Sequence, residues 1–442
     1  MLGLTLGLLF ATAGAVDSTF AARVEAIAAD RELPGMAVVV MDGDRVVYAE
    51  GFGVTDLESG TPITPDTVFQ LASIGKQFLA ALVVDLADAG RLSLDAPLRR
   101  YLPDFDRLPA ELRLHDLLDH TSGIRDPLFE PEFVAGIMDP DRSSAEMLGL
   151  LRRLPSDFPP GTHWSYSSAN YLLLAQLVEW MTGMPYEQAL EERFFEPLGL
   201  TSLHHCSSRT DLPETARGYQ IGPDGLEPAP LLNMDWLRGR GALCGSARDL
   251  ARWLRALANG EVLSERAVER LWQRRTLADG TRLDYANGFS LIPFGERAKF
   301  GHLGSNRGFS ASAALYPYDE LVIVVLGNLG DVAMDAVERE LARRIFLKPP
   351  PSYTELPIAA IDIDAWTGDY DFGAFSASFV REDGALHVRM PDPLPGGRLR
   401  HVGERTFVDE TEPDVFRFRF EYRPHGRRVH MRFAGMHWYG DD

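Results

Sequence analysis

Residues 71–78 read Leu71-Ala72-Ser73-Ile74-Gly75-Lys76-Gln77-Phe78 and open a long apolar run that ends at Gly90. After Lys76 the run carries only two charged residues, Asp85 and Asp88. Apolar side chains therefore lie on nearly every face of the predicted helix, which is typical of a helix buried in a core. Gly90 suits the end of that helix, because glycine adopts the left-handed conformation at little cost. The sequence thus predicts a buried helix around which the chain is organised.

Ser73 and Lys76 are three residues apart in the first turn of this predicted helix, so their side chains lie on one face. Serine is a weak nucleophile at neutral pH and needs a base within hydrogen-bond reach. A lysine crowded by apolar groups loses proton affinity, because burial disfavours its charged form. The helix N-terminus also offers free backbone N–H groups to an anionic intermediate. The alternative is a serine N-cap beside a surface lysine, and the Ser-x-x-Lys spacing alone does not decide between the two.

The composition is that of a globular protein large enough for two or three domains: 442 residues, 45% hydrophobic and 24% charged. The formal net charge of −20 argues against nucleic acid or an anionic membrane as a partner, since both favour basic surfaces. Cys206 and Cys244 can pair in an oxidising compartment, although the count does not require a bond. Metal-ligand spacing of Cys and His is absent from the sequence, so we expect neither a metal nor another cofactor.

The N-terminal segment Met1–Ala15 is apolar and ends in the small-x-small pattern Ala13-Gly14-Ala15, which resembles a secretory signal and its cleavage site. It lacks a Lys or Arg before the apolar stretch, and the alternative is a frayed apolar N-terminus. No other stretch of the sequence is long and apolar enough to span a membrane. We therefore expect export to the periplasm or the medium, with no transmembrane span in the mature chain.

Strand signals occur near both ends of the first 347 residues, around Met36–Met41, Gly308–Tyr316 and Leu321–Leu326. Between about 93 and 264 the signals are helical and loop-like rather than β. This order predicts an α/β (α+β) fold over residues 18–347, in which helices flank an antiparallel sheet beside an all-helical lobe.

A Pro-rich linker follows at 348–356, and beyond it the pattern changes to alternation of apolar and polar residues. Phe416–Tyr422 shows this period of two most clearly, as expected of a half-buried strand. We expect residues 357–442 to form a small antiparallel β domain, either a sandwich or a barrel.

Two further motifs accompany Ser73-x-x-Lys76: Tyr166 opens Tyr-Ser-Ser at the head of a helix, and His302-Leu303-Gly304 precedes a strand. Their order and spacing resemble the serine β-lactamase and penicillin-binding-protein superfamily. The nearest match is its branch of class C β-lactamases, D-alanyl-D-alanine carboxypeptidases, D-aminopeptidases and related esterases. The resemblance extends over roughly residues 20–346 and includes Leu117–Gly123, Pro160–Thr162, Asn170–Leu174, Pro197–Leu200 and Gly239–Leu250. It implies a β-lactamase-like fold.

The resemblance implies an acyl-enzyme reaction in which Ser73 attacks a carbonyl group while Lys76 and Tyr166 share the acid and base work. Which of the two takes the serine proton is left open. The backbone N–H groups of Ser73 and Ser305 would form the oxyanion hole. A nearby lysine ammonium would help Tyr166 to ionise, since an opposite charge favours its anion.

The resemblance also implies that His302, Leu303, Gly304, Ser168 and Asn170 line the substrate site. Ser168 replaces the asparagine usual in the second motif, and Asn170 is a candidate substitute. His302 replaces the lysine usual in β-lactamases. Leu303 replaces a Thr or Ser whose hydroxyl lies near the substrate carboxylate. These departures weaken a β-lactam interpretation and leave the nucleophile untouched.

The segment His120–Gly123 also belongs to the resemblance, and we expect it to play a structural role in the helical lobe.

The leading hypothesis is an exported serine hydrolase that acts on ester or amide bonds of a small-molecule or short peptide-like substrate, as an esterase, amidase or D-amino-acid peptidase. One alternative is a β-lactamase or D-alanyl-D-alanine carboxypeptidase. Another is a non-catalytic member that binds peptidoglycan or a partner through its β domain. A metal-dependent hydrolase would lack ligands. The sequence does not rank the substrates.

Overall fold

A computed structural model of the chain describes residues 18–206, 215–346, 363–372, 376–390, 397–403, 405–409, 416–423, 426–433 and 436–441. In chain order its helices are α1 (Ser18–Asp30), α2 (Gly75–Asp88), α3 (Leu114–Leu118), α4 (Pro131–Ile137), α5 (Ser144–Leu151), α6 (Ser168–Thr182), α7 (Tyr186–Leu190), α8 (Glu196–Leu198), α9 (Ala247–Ala258), α10 (Glu265–Leu271) and α11 (Met334–Ile345). Its strands are β1 (Gly35–Asp42), β2 (Arg45–Gly53), β3 (Val68–Gln70), β4 (His204–His205), β5 (Tyr219–Gly222), β6 (Gly225–Pro228), β7 (Leu243–Ser246), β8 (Tyr285–Ala286), β9 (Phe289–Ser290), β10 (Phe300–Asn306), β11 (Phe309–Tyr316), β12 (Leu321–Gly327), β13 (Gly368–Asp371), β14 (Ser376–Glu382), β15 (Ala385–Arg389), β16 (Gly397–Gly403), β17 (Thr406–Asp409), β18 (Phe416–Arg423), β19 (Gly426–Phe433) and β20 (Met436–Asp441).

The largest open sheet is antiparallel, with strand order β2-β1-β12-β11-β10-β9-β8. Val38 of β1 pairs with Val325 of β12 on one side and with Glu50 of β2 on the other. Ala313 of β11 pairs with Val324 of β12, so strands from both ends of the domain meet in one sheet. The predicted fold class is confirmed.

Helices cover both faces of this sheet, which explains why its central strands read as unbroken apolar runs. Val39 of β1 packs into the core that contains α2 and α9, whereas its neighbours Val38 and Val40 pack into the core that contains α1 and α11. A strand that is buried on both faces has no solvent-facing side, so its sequence does not alternate between apolar and polar residues. The sheet therefore anchors the two layers of helices on either side of it.

Helix α2 is buried as predicted, since eleven of its fourteen residues are inaccessible to solvent. Its Phe78 ring packs 4.4 Å from the Trp253 ring of α9 and 5.5 Å from the Phe195 ring, measured between centroids. One detail differs from the prediction: Ser73 lies in a 3-10 turn, Ala72–Ile74, and α2 begins directly after it. The nucleophile candidate therefore precedes the helix that carries Lys76.

The prediction that residues 93–264 contain no strands was wrong, because β4 to β7 lie within this range. Strand β7 pairs with β3 and β4 in a small sheet, and β5 and β6 form a hairpin. These strands are two to four residues long. Such lengths are too short for an alternating pattern to appear in the sequence, so tertiary packing selects their conformation.

Cys206 and Cys244 form a disulfide, with their Cα atoms 5.1 Å apart, and this decides the question that the cysteine count left open. Both residues are buried, next to the junction of β4 and β7. The bond thus closes a long loop of the chain onto the strand that leads into α9.

Strands β13 to β20 form a closed antiparallel barrel, which decides between the two architectures predicted for the C-terminal region. In the β14–β15 hairpin, both turn residues, Asp383 and Gly384, have positive φ, the combination that a two-residue hairpin turn requires. The barrel interior is apolar and contains Tyr370, Ala377, Phe379, Leu386, Val388, Leu399, Phe407, Phe418, Phe420, Val429 and Met431.

The barrel shares its apolar core with the preceding α/β domain through Trp164, Leu277, Leu283 and Tyr285. The predicted signal segment, 1–15, and the Pro-rich linker, 348–356, lie outside the described residues, so the domain boundaries stay predictions. Within the described ranges, no helix has the length and hydropathy needed to cross a membrane.

We predict that the double substitution Cys206→Ala/Cys244→Ala lowers the free energy of unfolding by about 2–4 kcal/mol, because a disulfide restricts the unfolded chain. Urea unfolding monitored by tryptophan fluorescence measures the difference. A reductant should destabilise the wild type by a similar amount and leave the double variant unchanged. Equal wild-type stability with and without reductant, once thiol titration confirms reduction, would contradict the prediction.

Candidate active site

Ser73 is presented by a strained turn that strand β10 holds in place. Ala72, directly before it, has φ of +47°, which is uncommon for a residue with a side chain. The turn contacts β10, where a Cβ atom added to Gly304 would overlap the carbonyl oxygen of Leu71. Gly304 thus permits a close approach that any larger residue would prevent, while Ser73 itself stays partly exposed.

Lys76 is completely buried, and its Nζ lies 3.0 Å from Ser73 Oγ and 2.7 Å from the carbonyl oxygen of Arg240. Burial lowers the pKa of Lys76 well below its usual value, and the charge of the Arg240 guanidinium lowers it further, whereas that of Asp126 opposes the change. The lowered pKa favours the neutral amine, in line with the sequence argument. In this state it can accept the proton of the Ser73 hydroxyl.

Tyr166 lies immediately before α6, with its ring centroid 5.1 Å from Lys76 Nζ. The ring is partly exposed, but the hydroxyl is buried and has no hydrogen-bond partner among the described residues. Burial raises the pKa of Tyr166, and the neighbouring Ser73 hydroxyl offsets this only in part. The expectation that Tyr166 ionises more readily beside Lys76 was wrong, because desolvation dominates. The phenol remains protonated.

His302 is buried on β10, with its ring centroid 6.2 Å from that of Tyr166. Nδ1 lies 2.6 Å from the carbonyl oxygen of Leu303, which can only accept, so we infer that Nδ1 donates and that Nε2 accepts from the Tyr285 hydroxyl at 3.0 Å. Burial and the proximity of Lys76 lower the pKa of His302 to about 3. His302 is therefore a neutral group of this site at physiological pH.

Two of the residues expected to bind substrate are used inside the helical lobe. The Asn170 amide is fully buried, accepting from Ser122 Oγ at 2.6 Å and donating to His120 Nδ1 at 3.0 Å. Ser168 is also buried, and its backbone N–H donates to Asp126 at 2.9 Å. In the structure the Asn170 amide therefore forms its hydrogen bonds within the helical lobe and not in the substrate site.

The other predicted residues of the third motif diverge along β10. Leu303 lies opposite Ser312 and lines a pocket with Asp335 of α11, on the face of the sheet away from α2. Gly304 faces the turn of Ser73, and Ser305 is exposed at the next position. The structure therefore brings Gly304 and Ser305 to the nucleophile and directs Leu303 elsewhere.

His120, to which the sequence assigned only a structural role, stacks against Tyr166 with 4.2 Å between ring centroids. Its Nδ1 accepts the backbone N–H of Ser167 at 3.1 Å. Burial lowers the pKa of His120 well below its usual value, so the ring is neutral. His120 thus holds the Tyr166 ring in position by packing against it. The sequence signal for His120 was the His-Thr-Ser-Gly motif, but only the tertiary packing shows its contact with Tyr166.

The sequence analysis assigned no role to two buried charged residues at the site. Asp126 is only 6% exposed and accepts backbone N–H groups from Leu128 and Ser168, each at 2.9 Å. Burial lowers the pKa of Lys76 and of Arg240, and the charge of Asp126 opposes both changes. For Tyr166, burial raises the pKa and the charge of Asp126 adds to that change. Arg240 is 8% exposed, and no spacing in the sequence connects it with Ser73. Neither residue type stands out among the many acids and arginines of the chain.

Within the part of the chain that the structure describes, no group of three or more His, Cys, Asp or Glu side chains is arranged to hold a metal ion.

Comparison with known proteins gives a consistent result. The sequence model of the family described as Beta-lactamase matches residues 20–348, most of the chain. The D-aminopeptidase of Brucella ovis is 29% identical over 389 residues, which cover 86% of this chain and 70% of that protein. Among solved structures, the octameric penicillin-binding protein homologue from Pyrococcus abyssi superposes with a TM-score of 0.68 at 21% identity, covering 95% of this chain and 99% of that one. The D-amino acid amidase from Ochrobactrum anthropi gives 0.66 at 22% identity, covering 75% and 98%.

We predict that Ser73→Ala abolishes turnover and that Lys76→Ala lowers kcat by several orders of magnitude, because the two residues act as one nucleophilic unit. The rate requires the neutral amine, whose pKa is depressed. The kcat/KM should therefore reach its plateau well below the usual lysine pKa and fall as the pH is lowered through the depressed pKa of Lys76. Lys76→Arg should be inactive at every pH, since arginine stays protonated. A wild-type profile that rises only near the usual lysine pKa would contradict this assignment.

Proposed function

Because the chain belongs to the β-lactamase family of serine hydrolases, we propose that it hydrolyses amides of D-amino acids and short peptides that begin with a free D-amino acid. The D-aminopeptidase and D-amino acid amidase described above support this substrate class. The observation that carries it is the buried carboxylate of Asp126 beside the acylation site.

Asp126 is suited to bind the α-ammonium group of such a substrate. Its recorded hydrogen bonds come from two backbone N–H groups, whereas a carboxylate can accept about four. It forms no ion pair with the described residues, although its charge acts on Lys76 and Tyr166. An ammonium group placed there would gain a charge-assisted hydrogen bond, which is roughly twice as strong as a neutral one. A substrate without the amine would leave the buried charge uncompensated.

The reaction follows from the protonation states of the three catalytic groups. Ser73 Oγ attacks the carbonyl carbon while its proton moves to the neutral Lys76 amine. The backbone N–H groups of Ser73 and Ser305 stabilise the oxyanion. As the C–N bond breaks, the Tyr166 phenol protonates the leaving amine and recovers a proton from the Lys76 ammonium. Water then cleaves the ester by the same steps in reverse, which releases the D-amino acid and regenerates Ser73.

The protonation state of His302 in the third motif supports amides of D-amino acids over β-lactams as substrates. A penicillin carries a carboxylate on the leaving side, which needs a cation or a hydroxyl donor. His302 is neutral, since burial lowers its pKa to about 3. An uncharged leaving group avoids the cost of an unpaired carboxylate.

We predict that Asp126→Asn lowers kcat/KM for D-alanine p-nitroanilide by about ten- to a hundredfold, the value of one charge-assisted bond. Turnover of p-nitrophenyl propionate, which has the same acyl skeleton without the amine, should fall much less. The exposed acid Asp141 provides the matched control, and Asp141→Asn should change neither rate.

Equal losses on both substrates would show that Asp126 acts only through the start of α6. The proposed function itself fails if the wild type hydrolyses no D-amino acid amide while intact-mass analysis shows a stable penicillin adduct.

We further propose that the protein is exported. The apolar segment Met1–Ala15 with its small-x-small end supports this, and so does the Cys206–Cys244 disulfide, since such bonds persist in oxidising compartments. N-terminal sequencing of the protein recovered from periplasm or medium should begin at Val16. Recovery only from the cytoplasm, with Met1 intact, would contradict the proposal.

A further inference from the structure

Arg240 carries a buried positive charge that nothing in the described part of the chain neutralises by direct contact. It lies in the loop before β7, and its carbonyl oxygen holds Lys76 Nζ at 2.7 Å. The side chain is 8% exposed, and its Nε and Nη1 are buried without a hydrogen-bond partner among the described residues. The guanidinium belongs to the active site by position, since its charge acts on Lys76 and on Tyr166.

Such an arrangement is costly in the free protein. Buried polar groups are nearly always hydrogen-bonded, and an uncompensated buried charge costs several kcal/mol. Burial lowers the pKa of Arg240 and the charge of Asp126 opposes this change, yet the two groups form no ion pair. Arg240 and Asp126 are therefore two opposite charges, both without a directly bonded counter-ion among the described residues, at the same site. A ligand that carries one charge of each sign would satisfy both.

The pair lies on the acyl side of the nucleophile. Asp126 accepts the backbone N–H of Ser168, the residue that stands where the related enzymes usually have an asparagine contacting the acyl amide. Serine is smaller than asparagine. The charge of the Arg240 side chain interacts with that of Asp126, whereas His302 and Ser305 lie along β10. A group that contacts Arg240 is therefore part of the acyl residue and not of the leaving group.

We propose that Arg240 binds a carboxylate in the side chain of the substrate's acyl residue, so that the enzyme prefers amides of acidic D-amino acids. This inference rests on the proposed function, in which Asp126 binds the α-ammonium of the same residue. The planar guanidinium matches the geometry of a carboxylate and remains charged at any pH the enzyme experiences. D-glutamyl and D-aspartyl amides carry both groups that the site requires.

The first experiment needs no variant. The kcat/KM of the wild type is measured for the α-p-nitroanilides of D-glutamate, D-glutamine and D-alanine. D-Glutamine has the shape of D-glutamate without the charge. We expect D-glutamate to exceed D-glutamine by about ten- to a hundredfold at neutral pH. The ratio should fall toward one as the pH drops through about 4.3, where the substrate side chain becomes protonated.

The second experiment compares variants through the same D-glutamate to D-glutamine ratio. Arg240→Gln should abolish the preference, and Arg240→Lys should restore part of it, because lysine keeps the charge but lacks the planar fork. The matched control is Arg153→Gln, which removes an exposed arginine of the helical lobe and should leave the ratio unchanged. Thermal melting establishes that each variant is folded.

The outcomes separate the two proposals. If D-alanine and D-glutamine p-nitroanilides are hydrolysed but D-glutamate is not preferred, the role of Arg240 is overturned and the proposed function stands. Retention of the preference in folded Arg240→Gln also overturns it. If none of the three amides is hydrolysed, the proposed function fails. Should Arg240→Gln not fold, the wild-type ratio, its pH dependence and Arg240→Lys decide the question.

Discussion

The desolvation of the Lys76 side chain is the constraint on which the active site depends. An ammonium group taken out of water without a counter-ion costs several kcal/mol, so the buried residue gives up its proton. The neutral amine fits between Ser73 Oγ and the carbonyl oxygen of Arg240, where it has one group to deprotonate and one to donate to. The apolar helix α2 excludes water from the stem of the side chain, and the strained turn at Ala72 aims the serine at its nitrogen.

Uncharged aromatic rings surround the Lys76 amine, so its surroundings are of low polarity. The Tyr171 ring centroid lies 5.5 Å from Lys76 Nζ, and its hydroxyl donates to the carbonyl oxygen of Leu118. Burial keeps both neighbouring imidazoles, His120 and His302, neutral, so neither places a positive charge beside Lys76. The rings contact one another as well as the amine; they are His120, Tyr166, Tyr171, Tyr285 and His302.

The C-terminal barrel supports this wall of rings from outside. Trp164 and Tyr285 belong to the same apolar core as the barrel residues Trp366 and Tyr370. Both also lie within ring-contact distance of Tyr166. A change in how the barrel packs would therefore reach the catalytic tyrosine through two side chains. Besides these rings, the site contains one buried acid, Asp126, and one buried arginine, Arg240.

The sequence by itself determined the buried helix, the main sheet and the order of the three motifs, because periodicity and short spacing are local properties. Ser73 and Lys76 are three residues apart, and a helical turn is enough to bring them together. Arg240 is 164 residues from Lys76, and only the packing of β7 against β3 places its carbonyl oxygen on the amine. The same holds for the pKa of Tyr166, which depends on the burial of the phenol. Tertiary structure decided these features, since distance through space and exclusion of water arise only when distant segments pack.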